Sequence, residues 1–245
     1  FGGYKHYSRL LWIQKYLGWM PLYVRKIISS FAENSLSIGS KGRNYLQGIG
    51  VDYEKSVPIA ASYFDLKFCS DLIDFNFFKF RDSYNIQSSR DLDFLQRLTL
   101  ADFNNYLAED ILVKVDRSSM ANSLEIRAPF LDHNIIEFAF GKIPSHLKAT
   151  PYKRKTLLKK LAKKLLPNEF DLKRKQGFSI PLASWLSEDS YREFFQDILL
   201  DDSSAFNKFA VENLFRGQEM GKNNSERIFS LSMLELWRRE HSISF

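Results

Sequence analysis

Cysteine and histidine are scarce in this chain, and their arrangement excludes several kinds of site. Among 245 residues there is one cysteine, Cys69. The chain therefore cannot form an internal disulfide or a cysteine cluster for zinc. None of the four histidines stands two or four residues from another, as paired metal ligands often do. A single thiol suits a reducing compartment, so we expect a cytoplasmic protein.

Glycine, proline and long apolar runs are also scarce. With 11 glycines and 7 prolines the chain has few turn residues, which disfavours an all-β fold and favours helices. No stretch approaches the roughly 20 apolar residues of a membrane span, and no signal peptide opens the chain. We therefore expect no membrane partner. Aromatic residues are plentiful at 15% of the chain, which is ample for a large core.

Positive charge is concentrated in one part of the sequence. The whole chain carries a formal net charge of +6. The window from Pro151 to Phe178 alone contains ten basic and two acidic residues, a local charge of +8, so the remainder carries −2. Any anionic partner should be sought in this window.

The spacing of apolar residues predicts a mainly helical chain. Helices are predicted at 4–17, from Pro21 onward, at 91–122 with a break near Glu109 and Asp110, at 153–166, and roughly at 188–200, 204–216 and 225–240. Apolar residues surround the last of these, so we expect it to be deeply buried. Residues 59–82 also favour helix. Residues 35–52 hold four glycines and little periodicity, so we expect a loop there.

The stretch from 111 to 141 has its own local pattern. Apolar and charged residues alternate over 123–131 and a proline follows, which predicts an extended segment with Glu125 and Arg127 on one side. Asp132 is then placed to cap the next helix at its start, and Gly141 to terminate it.

Three blocks of sequence resemble the asparagine synthetase family. FGGY, residues 1–4, looks like the end of the family's acidic motif. YLAEDILVKVDRSSMANSLEIRAPFLDH, residues 106–133, matches the family over its whole length. The third block runs from 143 to 185 and includes KTLL (155–158) and KRKQGF (173–178) at the family's spacing. The good match covers roughly residues 96–186.

The resemblance implies a fold and a division of the chain. We expect the C-terminal, helical part of an α/β adenine-nucleotide-binding synthetase domain of the ATP pyrophosphatase type. Residues 1–186 would belong to that domain, and residues 187–245 would form a helical extension packed on it. The family's pyrophosphate loop, its magnesium-binding carboxylates and its N-terminal glutaminase domain are absent from this sequence. We expect them upstream of Phe1.

The resemblance also implies an activity. Family members hydrolyse glutamine in one domain and pass ammonia to another, where ATP and aspartate form β-aspartyl-AMP and pyrophosphate. We therefore expect a glutamine-hydrolysing asparagine synthase, a carbon–nitrogen ligase that uses ATP, Mg²⁺, aspartate and glutamine. Its partner would be the glutaminase domain of the same protein, with a homodimer as a further possibility. Because the magnesium ligands are expected upstream, we expect no metal site in these residues and no activity from this chain alone.

Four residues are candidates for contact with the nucleotide. Lys155 matches the family's lysine at the start of a helix, where it faces the phosphates and where the positive end of the helix dipole suits an anion. The alternative is a solvated lysine on a basic surface helix. Lys175 and Gly177 belong to a loop that would close over the nucleotide, or to a basic surface turn; Lys173 stands where the family often has arginine. Tyr4 would face the acyl phosphate, or lie in the core.

The matching block at 106–133 contributes candidates of a second kind. Asp116, Arg117, Glu125 and Arg127, together with Asp132, form a structural or substrate-side motif. One interpretation is a buried network of salt bridges that anchors the segment. The other is contact with substrate or with the ammonia path.

Rival functions stay open at this point. Related amidotransferases and β-lactam synthetases share these blocks and act on other carboxylates. The basic window also fits a nucleic-acid-binding module or an anionic membrane surface, although we expect no nucleic acid partner. A catalytically inactive structural partner is a third alternative.

Overall fold

The computed structural model describes residues 1–54, 57, 63–73, 91–172 and 180–243. Within these ranges the regular structure is helical, and the only β-type pairing is an isolated bridge between Ala149 and Arg154. The prediction of a mainly α chain is confirmed. No helix in the described ranges combines the length and the apolar character needed to cross a bilayer.

The helices follow one another in this order: α1 (Lys5–Leu17), α2 (Leu22–Ser35), α3 (Arg43–Ile49), α4 (Leu66–Leu72), α5 (Phe94–Asp102), a π-helix (Phe103–Leu112), α6 (Val113–Met120), a 3-10 turn (Pro129–Leu131), α7 (His133–Gly141), α8 (Ser145–Lys148), α9 (Thr156–Leu165), α10 (Leu182–Trp185), α11 (Asp189–Leu199), α12 (Lys208–Glu219) and α13 (Ser225–Glu240).

The chain divides into two compact units. Unit 1 comprises Phe1–Lys26, Gly48–Ala61 and Ile86–Gln176, and unit 2 comprises Ile27–Gln47, Ser62–Asn85 and Gly177–Phe245. The expected division at residue 186 into a synthetase portion and a helical extension stays a prediction.

The core of unit 1 forms where α1 packs against α5. Tyr7, Leu10 and Ile13 recur every three residues and so share the buried face of α1. Phe94, Leu95 and Leu98 are the buried apolar residues of α5, which begins with a capping box between Asp93 and Gln96. The guanidinium of the buried Arg25 donates to the carbonyl oxygens of Ile49 at 3.2 Å and Val51 at 2.8 Å. These two hydrogen bonds satisfy the carbonyl oxygens of residues 49 and 51, so the backbone there can be buried without an unsatisfied acceptor.

The helix that begins with α5 does not break where the sequence suggested. It continues through the π-helix into α6, and both Glu109 and Asp110 lie inside the π-helical part. The predicted break is therefore wrong. A π-helix widens the turn without interrupting the backbone hydrogen bonds, and such segments often accompany functional sites.

The segment from 123 to 141 follows its predicted local pattern only in part. Residues 124–128 are non-helical, as predicted, but Pro129–Leu131 form a 3-10 turn and Ser123 has φ 58°, so the prediction of an extended segment over 123–131 is wrong at both ends. The Asp132 carboxylate caps α7 and accepts from the backbone N–H groups of Asn134 at 2.9 Å and Ile135 at 3.4 Å, which confirms its capping role. Gly141 is wrong as a terminating residue beyond the helix, since it is the last residue of α7. The cap residue that follows, Lys142, has a right-handed backbone, so no left-handed glycine is needed.

Unit 2 has its own apolar core, formed chiefly by α11, α12 and α13. The three helices predicted for the C-terminal part are confirmed to within a few residues. Ile228 and Leu231 of α13 are buried in this core, but Leu234, Leu236 and Trp237 are between 38% and 49% exposed. The prediction that this helix is buried all round is therefore wrong for its second half.

Two stretches between the predicted helices of the N-terminal half differ from expectation. Residues 43–49 form α3 instead of a loop, because the buried Arg43 anchors it: its Nε donates to the carbonyl oxygen of Leu36 at 2.8 Å, and its Nη1 pairs with Asp65. Of the helix predicted over 59–82, α4 accounts for Leu66–Leu72, and most of the remainder lies outside the described residues.

Candidate functional site

Lys155 lies directly before α9 and has an uncommon backbone conformation. Thr150 N donates to the carbonyl oxygen of Lys153 at 2.8 Å, and the bridge between Ala149 and Arg154 closes this tight turn. Lys155 follows as the N-cap of α9 with φ 53° and ψ 39°, in the left-handed region. Residues other than glycine seldom adopt this region, and they do so mainly where the surrounding structure enforces it.

The side chain of Lys155 lies against the FGGY block. A Cβ placed on Gly3 would stand 2.6 Å from Lys155 Cε and 3.6 Å from its Nζ, so a side chain there would displace the end of the lysine from its observed position. Arg154 Nη1 donates to the carbonyl oxygen of Gly3 at 3.4 Å. Gly2 has φ +64°, and a Cβ there would come within 3.2 Å of the carbonyl carbon of Lys148. The structure thus brings together two sequence blocks that lie 150 residues apart.

The first turn of α9 has no cap from the side chain of its N-cap residue. Lys155 makes no capping hydrogen bond with its side chain, and the first N–H groups of a helix form the positive end of its dipole. The Thr156 hydroxyl is buried and has no hydrogen-bond partner among the residues that the structure describes. The Lys155 side chain is exposed. An ammonium, a hydroxyl and backbone N–H groups in one place form an arrangement suited to an anion.

Tyr4 lies in a cluster of aromatic rings next to this arrangement. Its ring stacks on His6, with centroids 5.4 Å apart and planes 13° apart, and meets Tyr7 at 5.9 Å and Tyr106 at 5.7 Å edge to face. The Asp102 carboxylate accepts from the Tyr7 hydroxyl at 2.5 Å and lies 2.9 Å from His6 Nε2. Two of the three rings around Tyr4, those of His6 and Tyr7, are therefore held by one carboxylate.

The surroundings of Tyr4 keep its phenol protonated. Burial is the main cause that raises the pKa of Tyr4, and neighbouring Tyr106 and Asp102 raise it further. Burial and Asp102 likewise raise the pKa of Tyr7. At neutral pH Tyr4 is thus a neutral hydrogen-bonding group.

The sequence interpretation missed several residues of this region: His6, Tyr7, Asp102, Tyr106, Lys148 and Thr156. A signal existed for Asp102, because it shares a helical face with the buried Leu95 and Leu98 and a carboxylate there needs a partner. Lys148 is 2% exposed, and its Nζ lies 5.3 Å from the centre of the Phe140 ring. Burial lowers the pKa of Lys148. Nothing in the local pattern indicated this burial.

The charged residues of the 106–133 block lie on the surface. Arg127 Nη2 is 2.5 Å from Glu125 Oε1, but the two side chains are 86% and 67% exposed. Asp116 and Arg117 are exposed as well. The interpretation as a buried salt-bridge network is therefore wrong for these residues. The basic loop that contains Lys175 and Gly177 lies outside the described residues.

The same block also exposes apolar side chains. Met120, Leu124, Ile126 and Phe130 are each between 55% and 60% exposed. These four residues define the signature face. An apolar surface of this kind indicates a region that another protein segment covers.

The comparisons with known proteins agree with one another. A family model described as asparagine synthase matches residues 1–239. Asparagine synthetase [glutamine-hydrolyzing] 1 of Bacillus subtilis (strain 168) is 32% identical over 165 residues, which cover 66% of this chain and 25% of the relative. A putative asparagine synthetase [glutamine-hydrolyzing] of Mycobacterium tuberculosis (strain H37Rv) is 28% identical over 158 residues, which cover 62% of this chain and 24% of the relative.

This chain therefore spans about a quarter of the length of the curated relatives that it matches over most of its own length. No solved structure matches the chain.

Proposed function

The chain belongs to the asparagine synthase family, and from this we propose that it supplies the phosphate-facing part of an ATP-dependent asparagine synthetase. In the proposed reaction the aspartate side-chain carboxylate attacks the α-phosphate of ATP, and pyrophosphate leaves. Ammonia released from glutamine then attacks the carbonyl carbon of β-aspartyl-AMP, and AMP leaves as asparagine forms. The protein would thus be a ligase that forms a carbon–nitrogen bond.

The observation that carries this proposal is the position of Lys155 across Gly3 at the uncapped start of α9. When pyrophosphate leaves, negative charge builds up on the bridging oxygen and on the departing phosphates. A fixed ammonium and helix N–H groups aimed at that charge stabilise the transition state more than they stabilise the substrate. Lys155 is therefore the proposed catalytic residue, in contact with the α-phosphate or the pyrophosphate.

Lys155, Thr156 and the first-turn N–H groups of α9 fit the phosphates of ATP but include no carboxylate for a magnesium ion. Lys155, the Thr156 hydroxyl and the first-turn N–H groups of α9 would hold phosphate oxygens. Among the described residues, no three side chains of the His, Cys, Asp and Glu types stand close enough together to hold a metal. We therefore derive no step of the reaction through magnesium in this chain.

Two further roles belong to the same proposal. Tyr4 follows Gly3 directly and would face the acyl phosphate. Lys175 and Gly177 would close over the nucleotide, with Gly177 allowing the backbone to approach it closely. A Lys175→Ala substitution would then raise the KM for ATP.

The proposed partner is the glutaminase domain of the same protein. The signature face supports this assignment, because Met120, Leu124, Ile126 and Phe130 are each more than half exposed, and exposed apolar side chains mark surfaces that bind another protein segment. With Asp116, Arg117, Glu125 and Arg127 on the surface, contact with substrate or with the ammonia path is the favoured role of these residues.

The test of the proposed function is product formation by the protein expressed from its complete reading frame. We expect asparagine, AMP and pyrophosphate in equal amounts from aspartate, ATP and glutamine. Glutamate and carboxylated β-amino acids, supplied in place of aspartate, serve as the comparison. Faster amide or lactam formation from one of these compounds than from aspartate would assign the protein to another acceptor.

A further inference from the structure

An exposed aromatic patch lies on unit 1, separate from the residues proposed to face the phosphates. It consists of Trp12, Tyr16, Trp19 and Tyr152, which are 45%, 40%, 79% and 66% exposed. The rings of Trp12 and Tyr16 have centroids 5.0 Å apart, and the Tyr16 and Tyr152 hydroxyls share a hydrogen bond. Trp19 Nε1 donates to the carbonyl oxygen of Tyr16 at 2.8 Å. These contacts make the four side chains one continuous surface.

Part of the polar surface of these rings is already bonded within the chain. The indole N–H of Trp19 donates to the Tyr16 carbonyl oxygen, and one of the Tyr16 and Tyr152 hydroxyls donates to the other. The remaining phenolic O–H can donate to a lipid headgroup oxygen while the ring faces lie against apolar atoms. Tryptophan and tyrosine rings of this kind favour the boundary between lipid headgroups and acyl chains.

The two stretches of chain that build the patch carry positive charge without any acidic residue. Residues 1–26 contain five lysines and arginines, residues 138–168 contain nine, and neither stretch contains aspartate or glutamate. Lys15 Nζ lies 5.3 Å from the centre of the Tyr16 ring and 5.6 Å from that of Tyr152. Lys5, Arg9 and Lys153 are also exposed. This charge is complementary to an anionic surface and opposes pairing with a second, equally basic copy.

We propose that the aromatic patch docks on the surface of a bilayer that contains anionic lipids. The rings would enter the headgroup boundary while Lys15 and its neighbours contact the lipid phosphates. Base stacking on single-stranded nucleic acid is less suited to the patch, because the Lys15 ammonium occupies one face of both tyrosine rings. The proposal concerns attachment to one leaflet of the bilayer. It does not require a membrane-spanning helix, and the described ranges contain none. It is independent of the proposed enzymatic function.

The experiment is sedimentation of the protein expressed from its complete reading frame with vesicles of phosphatidylcholine, with or without phosphatidylglycerol. We expect at least roughly tenfold tighter binding to the anionic vesicles, and a loss of this difference at high salt. Trp19→Ala should weaken binding to anionic vesicles by roughly tenfold, and Lys15→Gln by about fivefold. Trp237→Ala is the matched control, since Trp237 is 49% exposed but lies in unit 2, outside the patch. The control should bind as the unmodified chain does.

Three outcomes would overturn the proposal. The first is no sedimentation with anionic vesicles, whether or not the chain then binds single-stranded RNA or associates with itself. The second is equal binding to neutral and anionic vesicles. The third is equal weakening by Trp19→Ala and Trp237→Ala. Circular dichroism of each variant shows whether the helices are retained, and a tryptophan emission shift on vesicle addition that Trp19→Ala removes gives an independent readout.

Discussion

At the scale of single residues, two glycines account for how the N-terminal block meets the rest of unit 1. Gly3 leaves the space that Lys155 fills, and Gly2 combines a left-handed backbone with close contact to residues 148 and 149. Both glycines belong to a block that resembles a family motif, but no local sequence pattern explains why glycine is required at these positions. Their reason lies in packing between residues distant in sequence, which local patterns do not reveal.

Gly2→Ala should destabilise the chain more than the same change at a glycine that also has a positive φ but has open space where a Cβ would stand. Gly221 is that control, with φ +78° and open space where a Cβ would stand, whereas a Cβ on Gly2 would meet Ala149 Cβ at 2.9 Å. We expect Gly221→Ala to cost about 1 kcal/mol and Gly2→Ala about 2–4 kcal/mol of unfolding free energy. Urea unfolding of both variants measures the difference. Equal losses of unfolding free energy in the two variants would show that the contact with Ala149 does not add to the destabilisation.

Gly3→Ala should act on function rather than on stability. The added Cβ meets only the flexible end of the Lys155 side chain, which can move away. We expect a change in melting temperature of at most a few degrees but a roughly tenfold or greater loss of ATP–pyrophosphate exchange in the complete protein, because the ammonium is displaced. An unchanged rate of ATP–pyrophosphate exchange in a folded Gly3→Ala variant would show that the reaction does not depend on the position of the Lys155 side chain.

At the scale of elements, periodicity located most helices and failed at identifiable places. The spacing of apolar residues predicted α1, α9 and α11 to α13, because each has a clear apolar stripe or clear flanking signals. It failed for α3, which Arg43 anchors through side-chain contacts, and for the π-helix, whose wider turn follows no 3.6-residue pattern. The capping position of Asp132 was predictable because a carboxylate bonds to N–H groups of the next turn.

A buried ion-pair network stabilises α13 in unit 2. Glu235 is fully buried, and its carboxylate lies 2.7 Å from both Arg238 Nη2 and Arg239 Nε. The arginines in turn donate to the carbonyl oxygens of Ser203 and Ile198. We expect Glu235→Gln to lower the unfolding free energy by about 1.5–3 kcal/mol at neutral pH, because the neutral amide still accepts a hydrogen bond but leaves the two arginines without an anionic partner. Glu212→Gln, exposed on α12, should change it by less than about 0.5 kcal/mol.

The Glu235 network should also make unit 2 sensitive to acid. Burial acts to raise the pKa of Glu235, but hydrogen bonds from Arg238 and Arg239 outweigh it and hold the pKa below its ordinary value of 4.5. A carboxyl group whose pKa is lower in the folded state stabilises the fold above its unfolded pKa and loses that effect as the pH falls through the folded pKa. The stability gap between wild type and Glu235→Gln should therefore narrow below about pH 4.5. A gap that is constant from pH 7 to pH 3 would contradict this account.

At the scale of the whole molecule, the sequence identified the family and the structure showed which surfaces its matching blocks form. The block at 106–133 was recognisable from its letters, but its exposure was not, since alternating apolar and charged residues fit a half-buried segment equally well. We expect the 245-residue chain alone to be inactive in aspartate-dependent ATP–pyrophosphate exchange, because it spans only about a quarter of the length of its curated relatives. Measurable exchange by these residues alone would contradict that expectation.

The most direct test of the central claim compares two lysines of one helix in the protein expressed from its complete reading frame. The assay is aspartate-dependent ATP–pyrophosphate exchange, with Lys160→Ala, exposed on α9 away from its N-terminus, as the control for Lys155→Ala. We predict that Lys155→Ala lowers turnover by roughly 100- to 1,000-fold, as expected for loss of a preorganised electrostatic donor. Lys160→Ala should stay near the wild-type rate. Near wild-type exchange in a folded Lys155→Ala protein, or an equal loss in both variants, would contradict the claim.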